Sequence, residues 1–100
     1  MTDMVLHQTD EFRAWLHRLR DERAKARIAA RVRRMVSGNP GDTKSLGGGL
    51  MEMRIDYGPG YRIYFARRGT LVVLLLCGGD KRTQQRDIAT ARELMEELNG

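Results

Sequence analysis

The sequence has little cysteine, little proline and no long hydrophobic run. Its single cysteine, Cys77, excludes an internal disulfide and a cysteine-rich metal site. The longest apolar run, Leu71 to Cys77, is far shorter than the roughly 20 apolar residues of a membrane-spanning helix. Residues 1–8 lack the basic region and apolar stretch of a secretory signal. We therefore expect a cytoplasmic protein with no membrane partner.

The length and composition predict one folded domain. The chain has 100 residues, of which 41% are hydrophobic and 31% charged, with only two prolines. This composition is typical of a globular protein rather than of a disordered tail. A chain this short buries only about two-thirds of the surface that it exposes when unfolded, which leaves no room for a second domain or a deep internal channel. Residues 1–100 are therefore taken as a single domain.

Lysine is also scarce, since 15 of the 18 basic residues are arginine. The planar guanidinium group of arginine fits phosphate and carboxylate. The net charge of +5 is unevenly distributed: residues 1–40 hold nine basic and five acidic side chains, whereas residues 83–100 hold two and four. A basic body favours an anionic partner such as RNA, DNA or an acidic protein segment. Solubility explains the composition equally well.

Apolar spacing predicts one strand and two helices in the first 40 residues. Residues 5–8 form a short strand, and Thr9 or Asp10 caps the helix that follows. A second amphipathic helix begins near Asp21 and ends before Gly38. The two apolar stripes consist of Phe12, Trp15, Leu16 and Leu19 in the first helix and of Ile28, Val32, Met35 and Val36 in the second. The two helices are expected to form a hairpin.

The remaining sequence predicts three antiparallel strands and a final helix. Segment 41–49 is polar and glycine-rich, and we expect a loop that carries Lys44 rather than a phosphate-binding loop. The strands cover 51–57, 61–67 and 71–77, and the helix covers 83–98. The fold class is therefore α+β: a small, mainly antiparallel sheet packed against an N-terminal helical hairpin and a C-terminal helix. The order of elements is β-α-α-β-β-β-α.

Alternation also predicts which residues face each other in the first hairpin. Placing Tyr57 opposite Tyr61 gives a register in which the apolar side chains share one face. Asp56 then lies opposite Arg62, so a salt bridge between them is one explanation for the arginine. The other face carries Arg54, Arg62 and Tyr64.

The predicted third strand extends this register. It places Val73 and Leu75 beside Tyr64 and Arg62, on the face away from the first core. Aliphatic surface next to arginine suits a protein segment with acidic and apolar side chains. We therefore expect a partner-binding surface at these residues.

Several strings resemble the RelE/ParE superfamily of bacterial toxin-antitoxin toxins. The most specific are residues 54–65 (RIDYGPGYRIYF) and 74–81 (LLLCGGDK), followed by Thr83-Gln84, with support from 39–42 (NPGD) and Lys44. They are most similar to the HigB-like branch, described as addiction-module killer proteins, and the resemblance spans almost the whole chain. It implies a small toxin held in a hetero-oligomer by a cognate antitoxin, commonly a helix-turn-helix DNA-binding protein in this branch.

The resemblance implies two different activities. RelE-type members are endoribonucleases that cleave messenger RNA, typically at the ribosome, and so inhibit translation. ParE-type members inhibit DNA gyrase without enzymatic activity. The HigB-like branch favours the first activity, that of an mRNA interferase. A third interpretation is a degenerate toxin that acts only as partner or co-repressor of its antitoxin.

Metal-free RNA cleavage needs a base for the 2′-hydroxyl proton, cations for the phosphate and an acid for the leaving oxygen. No set of metal ligands is apparent, so we expect no metal and no cofactor. The resemblance places functional basic residues in the Gly-Tyr-Arg string and after the two glycines of the third strand. The candidate catalytic residues are Arg62, Lys81 and Arg82. Solvated charges at the start of the helix are the alternative for the last two.

Further residues are candidates for RNA contact. Lys44 and Arg54 can bind phosphate, and Tyr64 can stack on a base. Arginines that recur along one side of the second helix can bind ribosomal phosphates, although a solvated helix face explains them slightly better. These helix residues are Arg23, Arg27, Arg31 and Arg34.

The sequence leaves the general base unassigned. RelE-type nucleases often carry a tyrosine in the last helix, but residues 83–98 contain neither tyrosine nor histidine. His7 and His17 lie in the first strand and first helix, away from Arg62. Cys77 has no histidine nearby in sequence and is expected to be a buried apolar residue rather than a nucleophile.

Overall fold

A five-stranded sheet with helices on both faces forms the protein. The computed structural model describes residues 5–69 and 72–99, with residue 99 as backbone only. Along the chain lie β1 (Val5–Gln8), α1 (Asp10–Arg18), α2 (Glu22–Val36), β2 (Thr43–Gly47), β3 (Leu50–Ile55), β4 (Tyr61–Arg68), β5 (Val72–Asp80), a 3-10 turn (Lys81–Thr83) and α3 (Gln84–Asn99). The sheet order is β1-β5-β4-β3-β2, and only β1 and β5 are parallel. The predicted α+β class, with its helical hairpin and C-terminal helix, is confirmed.

Side-chain caps fix where the helices begin. The Thr9 hydroxyl accepts the backbone N–H of Phe12 at 3.0 Å and donates to the carbonyl of Leu76 in β5. Asp21 accepts two backbone N–H groups of the first turn of α2. Asp80 accepts one at the start of the 3-10 turn. These caps satisfy amides that have no partner within the helix, and the Thr9 cap also ties α1 to the sheet.

Each face of the sheet has its own core. The face under α1 and α2 buries Phe12, Ile28, Met53, Ile63, Phe65, Val73 and Leu75, among others. The face under α3 buries Leu50, Tyr64, Ala66, Leu76, Cys77 and Ala91. No helix in the described part of the chain is long and apolar enough to cross a membrane.

The glycine-rich segment 41–49, predicted to be a loop, contains strand β2. Thr43 pairs with Met53 and Lys44 with Glu52 at the edge of the sheet. The glycines at 47–49 have φ values of 91, 63 and 88°, which suit the tight turn into β3 and favour glycine. A short polar edge strand followed by a glycine turn has the composition of a loop, so composition alone did not separate them.

The β3–β4 register differs from the predicted one by two residues. Tyr61 pairs with Ile55 and not with Tyr57, because residues 56–60 are taken up by a wider turn. A shift of two residues leaves every side chain on its predicted face. It nevertheless changes the neighbours, since Arg62 now lies opposite Arg54.

The β4–β5 register is also different, and β5 contains a bulge. Phe65 pairs with Leu75, and Leu76 is the extra residue that shifts the pairing. Val73 and Leu75 are 0% and 1% exposed under the helical hairpin. The predicted partner surface at these residues is therefore wrong. Residues 70 and 71, at the start of the predicted strand, lie outside the described residues.

Candidate functional site

A row of charged residues crosses the same face of the sheet as α3. Arg54 lies opposite Arg62, and the Arg54 backbone N–H donates to the carbonyl of Asp42 at 2.9 Å. In the next row, Lys44 lies opposite Glu52. Opposite residues of neighbouring strands point to the same face. One face of the sheet therefore carries five charged residues: Asp42, Lys44, Glu52, Arg54 and Arg62.

Glu52 connects this charged face to α3, and the sequence did not single it out as a residue of the site. The side chain is fully buried. Its Oε1 lies 3.0 Å from Arg54 Nε and 3.5 Å from Arg62 Nη1, while Oε2 accepts a hydrogen bond from Gln84 Nε2 at 2.7 Å. Burial of a carboxylate is costly unless it is paired, so Glu52 requires these partners and holds them in place. The available signal was an acid in an alternating strand, two residues before Arg54.

The surroundings of Glu52 keep it ionised. Burial acts to raise its pKa, but hydrogen bonds from Gln84 and Arg54 and the charge of Arg62 outweigh it, and the pKa is lowered. A carboxylate with a lowered pKa is a poor proton acceptor at neutral pH. Glu52 is therefore a counter-ion for the two arginines.

Arg62 contacts the buried Glu52 on one side and lines an open cleft on the other. Its side chain is 13% exposed, and its Nε and Nη1 atoms are buried and make no hydrogen bond to any residue that the structure describes. The salt bridge with Asp56, the alternative explanation for Arg62, is not formed, and the ion pair of Arg62 is made with Glu52. The exposed part of the guanidinium side chain lines a cleft and is free to meet an anion.

This cleft, the Arg62 cleft, has a volume of about 380 Å³. The turn at residues 58–60 closes one side, and Lys81 of the 3-10 turn lines another. Three cationic side chains converge there from β3, β4 and the 3-10 turn. The charged lining residues are Arg54, Arg62, Lys81, Asp42 and Asp56.

The structure separates the two basic residues that follow β5. Lys81 lines the Arg62 cleft, whereas Arg82 does not. The Arg82 side chain is 83% exposed and lies 3.4 Å from the Asp80 carboxylate. Lys44 is exposed on β2 and lies beside the cleft rather than in its lining. Lys81 and Arg62 are therefore both candidates for contact with one phosphate. Arg82 lies outside the lining of the cleft, and its predicted role stays a prediction.

The prediction that Tyr64 stacks on a base is wrong. The side chain is fully buried in the core under α3. Burial, together with the nearby Glu52 carboxylate, strongly raises the pKa of Tyr64, so the phenol stays neutral. Alternation placed Tyr64 on the correct face but did not show that α3 covers this part of the face.

The arginines of α2 do not form one uniform surface. Arg31 donates from Nη1 to the carbonyl of Arg54 at 2.7 Å and from Nη2 to that of Pro40 at 3.2 Å. These bonds fasten the segment before β2 to the sheet, so Arg31 has a structural role, and its contact with RNA stays a prediction. The guanidinium of Arg27 lies 4.6 Å from the centre of the Tyr57 ring. The exposed members of the stripe are Arg23, Arg27 and Arg34.

Cys77 and the histidines lie outside the Arg62 cleft. Cys77 is buried, its thiol donates to the backbone carbonyl of Asp87, and burial raises its pKa to about 12. The prediction that Cys77 is buried is confirmed. Within residues 5–69 and 72–99, no group of three or more histidine, cysteine or acidic side chains is placed to hold a metal ion.

Comparison with known proteins identifies the family. The family described as "Phage derived protein Gp49-like (DUF891)" matches residues 10–96. An uncharacterised protein of Haemophilus influenzae is 51% identical over 87 residues, which cover 87% of this chain and 88% of the relative. The matched region contains the whole Arg62 cleft and strands β2 to β5 of the sheet. The chain therefore belongs to the phage-derived Gp49-like family, a RelE-type, toxin-like family.

Proposed function

We propose that the protein is the toxin of a type II toxin-antitoxin module and inhibits translation by cleaving messenger RNA at the ribosome. Family membership supports the toxin role. The observation that carries the RNA-directed role is the Arg62 cleft, where Arg54, Arg62 and Lys81 converge on one open volume. Such a cluster fits the phosphodiester of RNA because arginine and lysine both bind phosphate, and arginine does so through two parallel hydrogen bonds.

The anchoring of the arginines suits stabilisation of a transition state. During attack by the 2′-hydroxyl, negative charge grows on the oxygens of the phosphorus. A cation already held in position stabilises that charge without a cost of reorganisation at the moment of reaction. Glu52 holds Arg62 and Arg54 in this way. Arg62 and Lys81 are the proposed catalytic residues.

Three ionisable side chains of the sheet are unsuited to accept the proton of the 2′-hydroxyl. Cys77 and Tyr64 are buried with raised pKa values, and the pKa of Glu52 is lowered. In the proposed reaction the 2′-oxygen, placed in line, bonds to phosphorus as the bond to the 5′-oxygen breaks. The 2′-hydroxyl proton passes to water, and Lys81 or water supplies a proton to the leaving 5′-oxygen. Binding on the ribosome orients the messenger for this in-line attack.

The proposed setting is the cytoplasm, with a cognate antitoxin as the protein partner. We place the chain with the HigB-like toxins and expect a helix-turn-helix antitoxin and a toxin-antitoxin hetero-oligomer. The exposed arginines Arg23, Arg27 and Arg34 of α2 are the proposed contacts to ribosomal phosphates, together with Lys44 beside the cleft. Such contacts weaken steeply as the salt concentration rises.

Mapping transcript 5′ ends after induced expression tests this function. The parent is expected to arrest growth and create new ends within messages. The Arg62→Ala variant is expected to do neither. Arg67→Ala, which removes an exposed arginine from the other end of the same strand, is the matched control and should act like the parent. Growth arrest with intact transcripts and loss of DNA supercoiling would support gyrase inhibition instead, and absence of arrest would indicate a degenerate toxin.

A further inference from the structure

Two carboxylates lie in an otherwise basic cleft. Asp42 and Asp56 line the Arg62 cleft together with its three cations. Both acids are exposed. A carboxylate repels a phosphate group of RNA, so these two side chains oppose the backbone contact that the cations favour.

Asp42 and Asp56 are not the ion-pair partners of the arginines in the cleft. Among the described residues, the ion pairs of Arg54 and Arg62 are both made with Glu52. Neither Asp42 nor Asp56 forms an ion pair with any described residue. Their oxygens are therefore available to a ligand in the cleft.

The backbone fixes where the two acids stand. The Asp42 carbonyl accepts the Arg54 backbone N–H at 2.9 Å and the Arg31 Nη2 at 3.4 Å. The preceding residue, Gly41, has a φ of 72°, and a Cβ there would lie 2.9 Å from Arg31 Nη2, so glycine allows this fastening. Asp42 is thereby held across from Arg54, at a Cα separation of about 5 Å.

Asp56 stands on the other side of Arg54. It follows β3 directly, two residues beyond Arg54 along an extended chain, at a Cα separation of about 7 Å. One acid is therefore placed across the sheet from Arg54 and the other along its strand. The charged lining of the cleft is thus divided between two acids, Asp42 and Asp56, and three cations, Arg54, Arg62 and Lys81.

A ligand with one anionic end and one end rich in hydrogen-bond donors matches this division. A carboxylate accepts hydrogen bonds and donates none. Among RNA bases, guanine presents two adjacent donors on its Watson–Crick edge, N1–H and the N2 amino group, which match the two oxygens of one carboxylate. Adenine, cytosine and uracil each place an acceptor beside their donor there, and an acceptor facing a carboxylate stays unpaired at a cost.

We propose that Asp42 and Asp56 recognise the Watson–Crick edge of a guanine whose neighbouring phosphate is held by Arg62 and Lys81. One carboxylate accepts N1–H and one hydrogen of the N2 amino group, and the other accepts the second hydrogen of that group. This inference rests on the proposed RNA-directed function and names the nucleotide that the same cleft selects. The volume of about 380 Å³ lies within the range of pockets that take small ligands and suits a single nucleotide.

The test compares the 5′ ends produced by three proteins after induced expression. The parent should produce ends enriched in guanine at one fixed position relative to the cut. The double variant Asp42→Asn/Asp56→Asn should still cleave, with that enrichment lost. Glu93→Gln/Glu97→Gln removes the same charge from exposed positions of α3 and should keep the parent's enrichment. Ends without guanine enrichment, or enrichment that survives in the Asp variant, would overturn the inference while leaving the cleavage function intact. Absence of new ends would contradict the proposed function itself.

Binding gives a second readout that does not depend on cleavage. The probes are 2′-O-methyl hexanucleotides UUUGUU, UUUAUU, UUUCUU and UUUUUU, which lack the attacking hydroxyl. Fluorescence anisotropy should show about fivefold or tighter binding of UUUGUU by the parent, the lower end of discrimination by a bidentate contact. The Asp variant should bind all four alike and bind UUUUUU at least as tightly as the parent does. Equal affinity of the parent for all four would overturn the inference.

Discussion

The Arg62 guanidinium lies 3.5 Å from the carboxylate of Glu52, and Glu52 is fully buried beneath it. The same carboxylate oxygen is 3.0 Å from Arg54. One buried acid therefore positions two cations at the Arg62 cleft. An exposed ion pair contributes little to stability, but a buried carboxylate couples stability to the placement of its partners.

Replacing Glu52 by glutamine should weaken both the fold and the site. Loss of one partner from a buried ion pair costs about 3–5 kcal/mol. The expected loss here is about 1–3 kcal/mol, because Arg54 is 39% exposed and glutamine can still accept a hydrogen bond. Urea unfolding followed by Trp15 fluorescence measures the free energy of unfolding. Glu93→Gln is the control, and equal stability of Glu52→Gln and the parent would contradict the role of the buried carboxylate.

The stabilisation by Glu52 should depend on pH. Because folding lowers the pKa of Glu52 below its usual value of 4.5, its contribution is present above that value and is lost as the pH falls through the folded-state pKa. The difference in unfolding free energy between the parent and Glu52→Gln should therefore be largest near pH 7 and shrink towards pH 3. Urea unfolding at several pH values checks this, and a difference that grows on acidification would contradict it.

Arg31 and Arg34 belong to the same predicted stripe but should behave differently. Arg31 hydrogen-bonds to three backbone carbonyls, and Arg34 is exposed. Arg31→Ala should lower the free energy of unfolding by about 1.5–3 kcal/mol, the range for hydrogen bonds from a charged group. Arg34→Ala should change it by less than about 0.5 kcal/mol. Thermal or urea unfolding decides, and similar effects of the two variants would remove the structural role of Arg31.

The glycines near the end of β5 should not tolerate a side chain. A Cβ on Gly79 would lie 1.8 Å from the Asp87 carboxylate, and one on Gly78 would lie 2.3 Å from the Trp15 ring. Gly79→Ala should destabilise by about 1–3 kcal/mol, as expected for overpacking of a filled core. Adding Asp87→Ala should relieve part of that loss, so the double variant should be more stable than the sum of the single effects predicts. Full additivity would argue against the contact.

Local patterns predicted the helices, and long-range contacts explain what they missed. The apolar stripes of α1 and α2 lie in the core, and Thr9 and Asp21 are the caps. These features depend on residues within one or two turns of each other. The wide turn at 56–60 shifts the β3–β4 register by two residues, and alternation has no signal for it because every side chain keeps its face. The shifted β4–β5 register, which changes again at the Leu76 bulge, puts Val73 and Leu75 on the opposite face from the predicted one, and alternation has no signal in a predicted strand that is apolar at every position.

The cations of the site could be predicted from the sequence, but the acid that pairs with its arginines could not. Arg54, Arg62 and Lys81 meet in one cleft, as their predicted placement near one sheet face suggested. The alternative explanation of Arg62 paired it with Asp56, but its partner is Glu52, because the choice depends on a register shift of two residues. The backbone contacts of Arg31 span 9 to 23 residues of sequence and leave no local pattern.

Cleavage of a defined messenger RNA by purified protein on purified ribosomes tests the central claim most directly. The parent should cleave the message, and Arg62→Ala should slow cleavage by about 100-fold or more, the usual effect of removing one group that stabilises transition-state charge. Arg67→Ala should cleave like the parent, and circular dichroism should show that all three proteins are folded. An intact message with the parent, or equal rates with Arg62→Ala, would contradict the account.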